Sequence, residues 1–156
     1  MKRLVWIALA GLAACSDANV AGTYFAAITN RADGCGIGWN IGAQETDVNV
    51  TAAQSGSDVT VIVNGVPGVL LGLQTGTNTF KGEVDGDDLN VSITGTAPKS
   101  SGNCSYTINA KLKASLDGDT LTGSVEYRAA TNGGSDCGSR TNCVSTQEFN
   151  AIRPPS

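Results

Sequence analysis

Clustered carboxylates, hydroxyls, cysteines and one loop tryptophan are the side chains in this sequence whose types and spacing could do chemistry. Asp85, Asp87 and Asp88 bring hard oxygen ligands into one short stretch, the kind of set that Ca²⁺ takes. Leu89 and Asn90 break the EF-hand pattern, and Asp85-Gly86-Asp87 reads as a hairpin turn without any ion; Asp117-Gly118-Asp119 reads the same way. Glu83 and Glu126 would have to share a concave face to cleave a glycosidic bond. Their strand register instead turns both outward. Residues 15–156 contain neither G-x-S-x-G nor S-x-x-K, so no serine nucleophile is signalled. Histidine is absent, which removes the commonest general base and the usual triads. The cysteines show no C-x-x-C pair of the sort that zinc sites use. No catalytic residue, metal or cofactor is therefore expected. The formal charge of −4 and the lack of a basic run give no footprint for nucleic acid.

The amino terminus carries an address. Lys2 and Arg3 precede the apolar run 4–14, which as a helix would reach roughly 16 Å, about half of a bilayer core. A basic start, a short apolar stretch and small residues before a cut form the pattern of a secretory signal peptide. The sequence Leu12-Ala13-Ala14-Cys15 resembles the lipobox of bacterial lipoproteins. That resemblance implies cleavage before Cys15, a diacylglycerol on its sulfur and acylation of the new amino terminus by a chain of the palmitate kind. It also implies a cell-envelope location, and Ser16, in place of an aspartate that retains such proteins at the inner membrane, favours the outer membrane. Two acyl chains suffice for a stable anchor.

Five cysteines is an odd count for an exported chain, which normally leaves a stray thiol. With Cys15 as the lipid carrier, Cys35, Cys104, Cys137 and Cys143 remain for two disulfides in an oxidising compartment. Three pairings are open.

The elements that would position these residues are strands. Period-two alternation runs through 105–116 and 120–128, with Asp117-Gly118 between them as a hairpin signal. The same alternation marks 22–29, 48–52, 59–63, 80–84, 89–93 and 146–151, and a short strand is expected from Pro67 through Leu71. No stretch shows a helical period. Short connections force neighbours to pair antiparallel. The expected fold is all-β: an up-and-down meander of about eight to nine strands closing into a small barrel, with a β-sandwich as the alternative. Glycines 82, 95 and 123 suit the bends that closure needs. The expected organisation is a signal peptide over 1–14, a lipidated tether over 15–21 and a single β domain over 22–156.

By architecture, and by the fragments Gly22-Thr23-Tyr24 and Phe80-Lys81-Gly82, the domain resembles lipocalin-like and avidin-like barrels. Tyr24 stands where lipocalins carry tryptophan. The resemblance implies a non-catalytic binding module for a small apolar or amphipathic ligand, held at a membrane by Cys15. The alternative is a structural protein whose Thr, Asn and Ser surface meets glycan or another envelope protein. Trp39, in the long loop 30–45, either meets a ligand or packs over an open barrel end.

Overall fold

The computed structural model describes residues 17–155. Cys15, Ser16 and the stretch expected as a signal peptide lie outside them. The elements run β1 (Gly22–Asp33), β2 (Gln44–Ser55), β3 (Asp58–Val63), α1 (Gly65–Thr75), β4 (Thr79–Asp85), β5 (Asp88–Ile93), β6 (Lys99–Ser101), β7 (Cys104–Asp117), β8 (Thr120–Thr131) and β9 (Ser145–Ile152). A 3₁₀ segment, Ser135–Arg140, precedes β9. Except for β5 and β6, strands adjacent in the chain pair antiparallel, β1 pairs with β9, and β5 pairs with β7 from Asp88↔Ser115 to Ile93↔Ala110. That last ladder closes eight strands into a barrel and leaves β6 as a short extra strand on β7. The expected meander barrel is the observed fold, and the sandwich is not.

Alternation sorts the side chains. In β5 exposed Asp88, Asn90 and Ser92 alternate with buried Leu89, Val91 and Ile93. The interior collects Tyr24, Ala26, Val59, Phe80, Leu89, Ile108 and Leu121, all buried. Gly82 and Gly123 sit within strands because their neighbours come too close for a side chain. A Cβ at Gly82 would run into the Asn90 carbonyl, and one at Gly123 into the Lys113 carbonyl. Gly95 lies just past β5 rather than in a strand, against the Ile108 backbone.

The barrel has two unlike ends. At one end β2–β3, β4–β5 and β7–β8 are joined by two-residue turns, Gly56-Ser57, Gly86-Asp87 and Gly118-Asp119. Each glycine has φ near +60° (63°, 58° and 58°), while the residue after it does not, which is the II′ pattern. Residues 17–21, expected as a tether, are docked across this end. Ala18 N–H donates to the Gly86 carbonyl, Gly86 N–H to Asp17 Oδ1 and Val20 N–H to Gln54 Oε1. Val20 is fully buried, and its carbonyl accepts the Tyr24 hydroxyl at 3.0 Å. Arg153 fastens the segment: it donates to the carbonyls of Asn19 and Ala21, pairs with Asp119 at 2.9 Å and lies over the Tyr24 ring.

The opposite end carries every long connection and α1. The expected strand at 67–71 is helical. Pro67 falls in the first helical turn, where a missing N–H costs nothing, and left-handed Gly76 ends the helix by donating to the Gly72 carbonyl at 2.8 Å. The helix escaped the period test because it is apolar on all sides: Gly68, Leu71 and Thr75 face the barrel, while Val66, Val69, Leu70 and Leu73 are exposed. Gly68 lets it lie directly on the Val63 carbonyl, where no side chain would fit.

Both disulfides sit at this open end. Cys35–Cys143 ties the β1–β2 loop to the segment before β9, and Cys104–Cys137 ties the start of β7 to the 3₁₀ segment. Their sequence separations are 108 and 33. Chain-entropy arithmetic gives about 5 kcal/mol for the longer closure and about 4 kcal/mol for the shorter. The double variant Cys35→Ser/Cys143→Ser is therefore expected to lose about 1 kcal/mol more than Cys104→Ser/Cys137→Ser in urea unfolding under oxidising conditions.

Candidate functional site

The inward register of the barrel is lined by many small residues, and they leave it incompletely filled. Ala26, Ala52 and Ala151 face Leu89, Leu112 and Leu121 around an apolar cavity of about 90 Å³. Pro67 and Leu71 of α1 cover its upper side. On the outer side of the same residues runs a groove of about 220 Å³, formed by Ile37, Gly38, Trp39 and Glu45 facing Leu70 and Gln74. Pro67, Leu71 and Tyr127 line both spaces, so they are the partition between the interior and the rim.

Polar groups enter the cavity wall at Tyr24, whose hydroxyl donates to the Val20 carbonyl toward the turn end, and at a second place toward the rim. The Tyr127 hydroxyl donates to Gln147 Oε1 at 2.8 Å, and Gln147 Nε2 donates to Asn30 Oδ1 at 2.7 Å. Asn30 in turn donates to the Asn40 carbonyl in the rim loop. A bulge places Arg31 outside the ladder between β1 and β9, immediately after Asn30↔Gln147. Arg31 then reaches Glu148 on the outer wall at 2.7 Å. Burial pushes the Tyr127 hydroxyl well above the ordinary tyrosine value, which keeps it a neutral donor at physiological pH.

The rim loop is organised by Asp33. Its carboxylate accepts the N–H groups of Ile37 at 2.7 Å and Gly38 at 2.9 Å and the Ser145 hydroxyl at 3.0 Å. Partial burial works against the charge, but the Gly38, Ile37 and Ser145 bonds outweigh it and hold the Asp33 carboxyl below its usual range. Ser145 Oγ also accepts from the Cys35 N–H, so the loop, the disulfide and β9 are joined at one point. On this base Trp39 donates its indole N–H to the Ala32 carbonyl and packs edge-on against Tyr127, with ring centroids 5.2 Å apart.

The residues singled out from sequence fall in separate places. Trp39 lines the groove. Cys35, Cys104, Cys137 and Cys143 are all bridged. Asp85, Asp87 and Asp88 lie exposed around the β4–β5 turn, and among the described residues no three His, Cys, Asp or Glu side chains gather as a metal site. Glu83 is exposed beside Asp58 in the ladder, while Glu126 is paired with Arg128 at 2.6 Å on the outer wall. That bond to Arg128 is the main reason the Glu126 carboxyl sits low. Sequence reasoning passed over Gln147, Asn30 and α1. Gln147 had left a signal, a polar residue in the inward register with Phe149 and Ala151.

Tyr127 makes the site visible to pH. Its folded pKa is raised, so its contribution to stability is complete below the unfolded value of about 10 and is lost as pH rises beyond it. Unfolding free energy from urea titrations is expected to be level between about pH 7 and 9 and to fall above about pH 10. Tyr127→Phe should make that fall shallower and cost about 1 kcal/mol at neutral pH through the lost bond to Gln147. Compared with protein-family models, curated proteins and solved structures, this chain finds no match.

Proposed function

We propose that this chain is a lipid-anchored protein of the bacterial cell envelope whose barrel binds a small apolar or amphipathic molecule without transforming it. The apolar cavity behind the Pro67–Leu71–Tyr127 partition carries the reading, because a packed interior ordinarily leaves few voids larger than a water molecule. A largely apolar void of this kind takes an apolar guest readily. The anchor rests on Leu12-Ala13-Ala14-Cys15, and Ser16 favours the outer membrane as the place of residence. The bridged cysteines suit an oxidising compartment.

A second reading is favoured by the exposed face of α1. Val66, Val69, Leu70 and Leu73, with Ile41 in the rim loop, present bare aliphatic side chains to water. In that reading the open end meets another envelope protein, and a photoreactive group at Val69 captures it in cells.

Two measurements test the principal reading. Intact mass of protein extracted from its native membrane is expected to show cleavage before Cys15 and added acyl chains, with Cys15→Ser released from the membrane fraction. An uncut leader with a bare Cys15 thiol overturns the anchor. For binding, titration with propane or xenon is expected to shift the methyl resonances of Leu89 and Leu121. Ala52→Leu, which fills the cavity, is expected to weaken uptake at least tenfold, and Phe25→Ala on the outer wall to leave it unchanged.

A further inference from the structure

The cavity wall also says what the guest's polar end must be. Charged side chains are absent from the lining of the interior, and the groove outside it carries one, Glu45. A carboxylate brought to the partition would lose its water without gaining a counter-charge, and it would pass Glu45 on the way. An ammonium would find only neutral acceptors at the partition. What the wall does provide is unspent hydrogen-bonding capacity. Tyr127 uses its proton on Gln147, which leaves its oxygen free to accept; Gln147 uses one N–H on Asn30, which leaves the other free to donate. Donor and acceptor thus stand side by side, and together they suit a hydroxyl or a carbonyl.

Size narrows the class further. The interior space, about 90 Å³, is smaller than the roughly 150 Å³ void that accommodates benzene. It suits a straight chain of few carbons and not a ring. Resting on the binding reading above, we propose that the barrel takes slender, uncharged aliphatic molecules bearing one hydroxyl or carbonyl group, and that Tyr127 and Gln147 read that group at the partition while the chain lies in the cavity. Trp39, packed on the Tyr127 ring, holds that donor's aromatic body in place from the rim side.

Calorimetric or methyl-shift titration of the full, lipidated protein at pH 7 with propane, propanol, propanoate and propylamine tests this. Propanol is expected to bind at least tenfold more tightly than propanoate or propylamine, and more tightly than propane. In Gln147→Leu the advantage of propanol over propane is expected to disappear while propane is retained. Tyr127→Phe, which keeps the ring, is expected to reduce the same advantage, and it serves if Gln147→Leu fails to fold. If propane binds and propanol gains nothing over it, or propanoate or propylamine equals or exceeds propanol, the ligand class is wrong and the binding reading survives. If neither propane nor propanol binds, both fall together.

Discussion

Closure of the sheet is the constraint on which everything else here depends. The ladder between β5 and β7 joins the two halves of the meander, so that no barrel strand is left with a free edge along that seam. Once closed, the alternation of side chains becomes a division between inside and outside rather than between two faces. Every second residue of eight strands must then share one confined space. The chain fills it largely with valine, alanine and leucine, and the choice of small residues is what leaves room at the centre.

The strand pattern was readable because a barrel wall enforces a strict period, and its hairpins advertise themselves through glycine followed by a small polar residue. Segments 105–116 and 120–128 show this best: their inward and outward residues are those that alternation assigns. The helix was not readable for the same physical reason. A segment that lies on a barrel mouth with an apolar outer face has no polar stripe to set its period, and Pro67 mimicked the start of a strand. Pairing of the four cysteines was equally hidden, since it depends on which long connections meet at the open end, a property of closure and not of local sequence. Gln147 stood in plain view in an inward register, but its meaning required Asn30, Tyr127 and Trp39 to be brought around it.

The two ends divide the work of the molecule. The turn end is finished with tight glycine turns, a buried valine and the Arg153 clamp, and it has little left to move. At the other end the chain is longer between strands, and order is supplied by separate devices: two disulfides, the Asp33 carboxylate and a helix resting on a glycine. The turn end is thus fixed by many small contacts, and the end facing the cavity mouth by a few crosslinks and single-residue ties.

Asp17 and Ala18 leave the body at the Gly86 turn, the pole farthest along the strands from α1. Under the proposed anchoring at Cys15, the point where the described chain meets the anchor and the open end of the barrel would lie at opposite poles. On the proposed binding function, that polarity would have a guest enter from the side away from the anchor.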